Sequence, residues 1–472
     1  MIYLILILYI AVTFLGSLTG TRKESSTPEG YFLANRNLTT LALFFTILAT
    51  NFSAFYFLGF AGEGYRIGYA YYVIMGLGTA LACLSFFLIG TRAWQLGKQK
   101  GYITPAELIY GQTGSRLLQF LFALIMMVFT LPYLALQIVG AGYILESITQ
   151  GQIPYFAGAS LLTAFTIIYV WMGGMRSVAR TDLKQGLLMI LLMVAAVVVI
   201  SQSLGGLAVA NQAAFELQPG LFDRAGQDGV YTPQKWFSLL IFWLFCIPMF
   251  PQVFMRFYVA RDLSNLKKSA LLYAFIPLFL AIMPVMIGVM AHLSFPGLLG
   301  KEADQILPMM LIKHSPEWFA ALVMTGALAA FMSTLDSQLL ALSTITTRDL
   351  ILDLGGRALD FKAQVKTGRA FVLVFALIGL AIAYRPFDTI FDMGKLAFSG
   401  LAVLFPATLV ILRTKSVPPA FLAASIIIGE VLIVGFYYQW LPQSLLLGFE
   451  SFIPVLAVCF LVIGLGKLWR KF

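Results

Sequence analysis

Windows of about 20 apolar residues, the length an α-helix needs to cross a bilayer, recur along almost the whole of this chain. Roughly thirteen of them fall at about 2–19, 40–61, 67–91, 116–147, 154–172, 183–204, 236–258, 266–292, 318–346, 368–384, 389–412, 418–440 and 448–467. Backbone inside hydrocarbon must satisfy its own polar groups, so such windows are restricted to helices. Composition agrees, since 60% of the 472 residues are hydrophobic and only 11% are charged, far from a soluble globular protein. The expectation is an all-α polytopic membrane protein of about 13 transmembrane helices, numbered here from zero to twelve. The first run, Ile2 to Thr19, has neither a basic start nor a small-residue cleavage site, so it reads as a true span.

The formal charge is +10, but Lys and Arg are spread over many short loops instead of forming a patch, which argues against nucleic acid as a partner. They report topology instead. Arg22, Lys23 and Arg36 lie in the first loop, Arg92, Lys98, Lys100 and Arg116 in the third, and Arg176, Arg180 and Lys184 in the fifth. Arg261, Lys267 and Lys268 follow in the seventh, Arg348, Arg357, Lys362, Lys366 and Arg369 in the ninth, Arg413 and Lys415 in the eleventh, and Lys467, Arg470 and Lys471 in the tail. The odd loops are therefore expected in the cytoplasm, with the N-terminus outside and the C-terminus inside. The long outer loops, about 205–235 and 293–317, carry no Asn-x-Ser/Thr acceptor, which favours a bacterial inner membrane. Cys83, Cys246 and Cys459 sit inside apolar segments without paired spacing, and His292 and His314 have no metal spacing. No P-loop, HExxH or GxSxG pattern is present, and no appended soluble domain is expected. An enzyme is not needed to explain this chain.

Two spans carry the means of their own interruption. Span one reads Leu48-Ala-Thr-Asn-Phe-Ser-Ala-Phe-Tyr-Phe-Leu-Gly-Phe-Ala-Gly62, with Asn51 and Ser53 in the middle of an apolar helix. Unwound backbone at this depth is tolerated only where protein or a wet cavity satisfies it. Span six reads Ile241-Phe-Trp-Leu-Phe-Cys-Ile-Pro-Met-Phe-Pro-Gln-Val-Phe-Met-Arg256, where Pro248 and Pro251 each remove a backbone donor. Five helices separate the two breaks, so the second runs in the opposite direction, which is the sequence mark of an inverted-repeat transporter with its site near the midplane. In span eight, Ser333 and Ser337 share a helical face with Ala330. Hydroxyls and freed carbonyls are the ligands a hard cation takes, although serines also bond back to the i−4 carbonyl. Asp336, deep in that span, must be paired, protonated or functional.

Tyr31-Phe-Leu-Ala-Asn-Arg36, Gly173-Gly-Met-Arg-Ser-Val-Ala-Arg-Thr-Asp-Leu-Lys-Gln185 and Met332-Ser-Thr-Leu-Asp-Ser-Gln-Leu-Leu340 resemble, in order, motifs of the sodium:solute symporter family, which includes proline, pantothenate, sialic acid and sodium/glucose cotransporters. The resemblance implies a leucine-transporter fold, with spans one to five and six to ten as inverted repeats and one N-terminal and two C-terminal extra helices. It implies the divisions 1–38, 39–204, 205–235, 236–413 and 414–472. It also implies a coupling Na⁺ held by the carbonyls of Ala49, Phe52 and Ala330 and the hydroxyls of Ser333 and Thr334. Asn51, Ala54 and Phe55 replace the Asp, Gly and Trp of proline transporters, and Gln137-Ile-Val-Gly-Ala-Gly142 is closer to the pantothenate and monocarboxylate branches. Some relatives build a further sodium site that would map to Asp182, Asp336 and Ser337.

The reading is thus a sodium-coupled symporter that imports a small organic solute, carboxylate or amino-acid-like, by alternating access and works as a monomer in the lipid bilayer. Its alternatives are proton coupling through Asp336 or Asp182, and a transporter-like solute sensor. The breaks and the family pattern make Asn51, Phe55, Tyr56, Gln137, Trp243 and Ser399 pocket candidates. Lys395, the clearest cation outside the basic loops, either meets a solute carboxylate or snorkels or pairs with Asp392 or Asp388. Asp182 either joins an ion site or caps the start of span five, while Asp336 otherwise pairs with a cytoplasmic Arg.

Overall fold

Proline chemistry decides the sharpest feature of the architecture. Phe250 lies between Pro248 and Pro251, and a residue preceding proline is pushed out of the helical region; Phe250 is accordingly extended, at φ −62° and ψ 122°. The computed structural model of the chain describes residues 2–18, 28–414 and 416–469, so Arg22, Lys23, Lys415, Arg470 and Lys471 lie outside it. At Phe250 the helices α7 (Pro233–Met249) and α8 (Pro251–Val259) meet at a bend of 62°. The companion break lies between α2 (Thr40–Asn51) and α3 (Phe55–Arg66), bent by 61°. There Phe52 leaves the helix at φ −80° and ψ 86°, and α3 restarts with a π turn.

The other elements are α1 (Ile2–Leu18), α4 (Tyr69–Lys100), α5 (Arg116–Ile148), α6 (Tyr155–Ser203), α9 (Leu263–Leu293), α10 (Glu317–Leu354), α11 (Phe361–Tyr384), α12 (Ile390–Arg413), α13 (Pro419–Tyr437) and α14 (Phe452–Trp469). Among the described residues no strand forms beyond one isolated bridge, Leu38 with Ala260. Among the described residues nine helices or helix segments are long and apolar enough to cross a membrane, or up to eleven if each bent pair is one span, and Ile2–Thr13 and the Tyr155–Trp171 part of α6 are shorter apolar segments. The chain is a multi-pass membrane protein. Helix α10 forms its centre, with 89% of its apolar window buried, whereas α11 and α14 bury 33% of theirs and face lipid.

One boundary differs from the sequence reading. The expected loop between spans four and five is helical, so α6 runs unbroken for 49 residues. The basic residues there set a topological boundary, but Arg, Lys, Gln and Met are good helix formers, and nothing in the stretch compels the backbone to stop.

Two glycines let α3 and α9 touch backbone to backbone. A Cβ on Gly288 would stand 2.1 Å from the Ala61 carbonyl oxygen, and one on Gly64 would stand 2.5 Å from that of Val285. This close approach joins the outer half of the broken first span to α9. Gly288→Ala is expected to cost about 1–3 kcal/mol by overpacking and to lower the thermal transition of the purified protein in detergent. Gly464→Ala, where nothing lies within 4 Å of the added atom, should leave it unchanged.

Candidate functional site

The break in the first span is held open by a neighbour. Gln137 on α5 accepts from the Ala54 amide through Oε1 at 2.9 Å and donates to the Tyr133 carbonyl at 3.0 Å. An amide freed by unwinding thus finds a fixed partner, as a buried donor must. Asn51 donates back to the Ile47 carbonyl at 2.9 Å. Beside the break lies a small cavity of about 30 Å³, lined by Asn51, Phe52, Phe55, Tyr56, Phe60, Thr79, Tyr133, Trp243, Ile247, Phe250, Tyr273 and Phe398. Phe55 packs edge-on against Trp243 and Phe398, with ring centroids 5.8 Å and 5.1 Å away, and Phe398 meets Tyr133 at 4.7 Å. The lining is aromatic and carries no charged side chain. Tyr56 Oη is buried there without a hydrogen-bond partner among the described residues, as are both amide atoms of Gln252 just beyond the second break. Such groups are rare in native interiors and call for a ligand or solvent partner.

One turn before the break, α10 meets the end of α2. Thr334 Oγ1 lies 3.2 Å from the Ala49 carbonyl and 3.2 Å from the Ala330 carbonyl. Three of the five expected sodium ligands are therefore together, all fully buried. Ser333, the neighbouring hydroxyl, donates to the Asp182 carboxylate.

Asp182 does not cap a helix, contrary to one of the sequence readings, because α6 is continuous through it and its amides are already used. Its carboxylate instead accepts from Thr46 and Ser333 and lies 3.6 Å from the Arg256 guanidinium. Arg256 on α8 is fully buried. It donates to the Gln252 carbonyl at 2.9 Å, to Ser337 Oγ at 2.5 Å and to Thr46 Oγ1 at 3.3 Å. Asp336, expected against an Arg of a cytoplasmic loop, accepts from Tyr169 at 2.7 Å and from Ser337 at 3.1 Å. The result is one buried network of two carboxylates and one guanidinium beside the Thr334 cluster. Arg256, Tyr169 and Thr46 went unread in the sequence. Arg256 could have been found, because it lies between the apolar runs Val253-Phe-Met and Phe257-Tyr-Val, where a charge is costly.

Two candidates fall elsewhere. Lys395 pairs with Glu450 at 2.8 Å, not with Asp392 or Asp388. Together with Ser399 it lines a separate pocket of about 830 Å³ between α12, α13 and the start of α14. Neither side chain lines the cavity at the breaks, because each points from α12 toward the C-terminal helices. On the opposite end of α3, Arg66 bonds Glu63 at 2.8 Å, Asp304 at 3.1 Å and the Gly300 carbonyl at 2.8 Å. Asp304 in turn accepts from the Ile390 amide at 2.8 Å. Burial pushes the Asp304 carboxyl up from its ordinary value and the Arg66 guanidinium opposes this.

The profile described as the sodium:solute symporter family matches residues 31–413. The chain is 25% identical over 471 residues to the sodium/pantothenate symporter of Escherichia coli (strain K12), covering 98% of this chain and 95% of that one. It is 25% identical over 432 residues to the osmoregulated proline transporter OpuE of Bacillus subtilis (strain 168), covering 89% and 86%. Among solved structures, a substrate-bound, outward-open Na⁺-coupled sialic acid symporter superposes with a TM-score of 0.80 at 19% identity, covering 100% of this chain and 97% of that one. A nucleobase-cation-symport-1 family transporter in a closed conformation gives 0.64 at 13% identity, covering 95% and 96%. These two likenesses establish the fold.

Arg256→Met should leave buried carboxylates without their cation and destabilise the protein by about 3–5 kcal/mol. Thermal unfolding in detergent reads this directly, and Asp182→Asn in the same chain should recover part of the loss. Full additivity of the two substitutions would break the proposed pairing.

Proposed function

The chain belongs to the sodium:solute symporter family, and we propose that it imports a small organic solute together with Na⁺ by alternating access. The observation that carries this reading is the meeting of the Thr334 hydroxyl with the Ala49 and Ala330 carbonyls, at 3.2 Å each, beside an unwound span. That is an oxygen cluster of the kind a hard monovalent cation takes, close to the small aromatic cavity at the break. The family relatives named above are transporters, and sodium is the coupling ion their names carry. In the proposed architecture thirteen spans form two inverted repeats of five, with one helix before and two after them. The near-equal bends of 61° and 62° in helices five positions apart support it. The positive charge of the odd loops supports an outer N-terminus and a cytoplasmic C-terminus in a bacterial cell membrane.

In this scheme Ala49, Phe52, Ala330, Ser333 and Thr334 hold the ion, while Asn51, Phe55, Tyr56 and Trp243 face the solute. Gln137 fixes the backbone between them. A solute carboxylate would be met by amides at the restarted helix α3, whose N-terminal dipole faces the break, because the cavity lining offers no cation. The aromatic walls suit the apolar body of a small carboxylate or amino acid.

Uptake into proteoliposomes under an imposed Na⁺ gradient, screened across small carboxylates, amino acids and sugars, tests the reading. Ser333→Ala and Thr334→Ala should each raise half-activating Na⁺ about tenfold, the equivalent of ~1.4 kcal/mol of ion binding, with little change in folding. Normal uptake at low Na⁺ by both variants would remove the site.

A second reading concerns the buried pair. Two carboxylates beside a single guanidinium leave one negative charge uncompensated, which favours a second cation, Na⁺ or H⁺, at Asp182, Asp336 and Ser337. Under a second Na⁺, uptake is cooperative in Na⁺, and Asp182→Asn and Asp336→Asn both reduce it to a single-site curve. Under a shared proton, the same substitutions change the pH profile instead.

A further inference from the structure

Three carboxylates gather at the C-terminal end of α10, which opens into a π-helix over Thr346–Leu354. Asp349 and Asp353 project from this stretch. Gln119 of α5 reaches both, donating through Nε2 to Asp349 Oδ1 at 3.3 Å and to Asp353 Oδ2 at 3.0 Å. Glu107 comes from the short helix Pro105–Thr113 between α4 and α5, where it forms a capping box with Thr104. One oxygen from each of Glu107, Asp349 and Asp353 lies within 4.8 Å of the other two. Glu107 is paired, since Arg348 donates to its Oε1 and the Ile103 amide to its Oε2 at 2.7 Å. Arg116, which also reaches this end of α10, donates to the Asp353 backbone carbonyl at 2.9 Å. Among the described residues neither Asp349 nor Asp353 has an ion-pair partner. Asp349 is fully buried. Its Oδ1 accepts from Thr104 Oγ1 at 2.9 Å as well as from Gln119, but its Oδ2 is buried with no hydrogen-bond partner among the described residues.

A buried carboxylate oxygen without a partner calls for a ligand, and carboxylates at this spacing repel one another. A hard cation answers both. Two oxygens bound to one Ca²⁺ at 2.3–2.6 Å stand at most about 5 Å apart, and the three oxygens here fall inside that limit. We propose that Glu107, Asp349 and Asp353 bind one divalent cation, Mg²⁺ or Ca²⁺, with Asp349 Oδ2 as the innermost ligand. Two carboxylates without a counter-ion match its charge. Glu107 keeps lone pairs beside its two hydrogen bonds, Thr104 and Gln119 orient Asp349 as outer partners do, and Asp353, which is not buried, gives the ion its way in from solvent. The bound ion ties the α4–α5 connection to the end of α10. This place is distinct from the Thr334 cluster, lying about 20 Å further along α10. It is at the cytoplasmic end under the topology proposed above; the binding itself does not depend on transport.

Calorimetric titration and thermal unfolding of the full chain, purified in detergent, stripped with EDTA and held at constant NaCl, test this without any transport measurement. MgCl₂ and CaCl₂ are added in separate arms. Wild type should bind one divalent ion per chain and unfold at a higher temperature with it, and the arm with the larger shift names the ion. Asp349→Asn and Asp353→Asn should each weaken binding by about tenfold or more, since disturbing even an outer partner of a metal costs that much. In EDTA, Asp353→Asn should unfold as wild type does, and it decides the matter where Asp349→Asn disturbs the packing. A variant of unchanged stability that no longer gains from the ion is a result that loss of fold would not give. Thr334→Ala should leave divalent binding unchanged, which separates this place from the sodium cluster. No binding of either ion by wild type, or wild-type affinity in Asp353→Asn, would overturn the proposal. So would a thermal shift that NaCl of equal ionic strength reproduces, which is screening alone.

Discussion

A peptide backbone leaves the helix inside a bilayer only where other groups satisfy what it frees, and this structure is arranged around two such places. At the first, Gln137 binds the Ala54 amide and Thr334 approaches the Ala49 carbonyl. At the second, proline has already removed the amides that would go unpaired, so no side chain need be spent on them. The central position of α10 follows from this arrangement. It brings hydroxyls to the first break and, through Ser337, also receives the arginine that follows the second.

That arginine raises a question of charge. A guanidinium buried in the interior is costly unless paired, and Arg256 sits among Asp182, Ser337, Thr46 and the Gln252 carbonyl. Two carboxylates outnumber it by one. Ser333 joins this network to the Thr334 cluster, because its hydroxyl donates to Asp182 while its neighbour Thr334 meets the Ala49 carbonyl. The two clusters thus adjoin as one buried polar unit.

The elements that carry this unit were legible to different degrees. Both breaks could be read from residues alone, Asn51 and Ser53 in one and Pro248 and Pro251 in the other, because local chemistry dictates them. The hydroxyl pair on α10 was legible from helical spacing. Asp182 was found with two readings, of which the helix cap fails, since a basic stretch marks a topological boundary without saying whether the helix stops there. Arg256 lay inside span six and was given no role there. Lys395 was singled out, yet its partner Glu450 lies in another span, and pairing across the fold leaves no trace in local periodicity. The family resemblance supplied what spacing could not, the meeting of α10 with the first break.

The contacts of the half-helices beside the two breaks divide into two kinds. The outer half α3 is joined to α9 through Gly64 and Gly288, where the backbones leave no room for a side chain. Van der Waals contact this close moves as a body. Besides the aromatic packing of Phe55 on Trp243 and Phe398, α3 has polar attachments at its end: Arg66 reaches Asp304 and the Gly300 carbonyl, and Asp304 holds the amide at the start of α12. The inner half α8 is likewise held by Arg256 to α6 and α10. Water can replace hydrogen-bonded partners at small net cost, whereas apolar interdigitation must be rebuilt. Of the two, only the partly exposed Arg66 bonds can exchange with solvent, whereas the fully buried Arg256 network holds α8 firmly. The Gly64–Gly288 contact packs α3 and α9 as one piece, which begins just after the bend at Phe52.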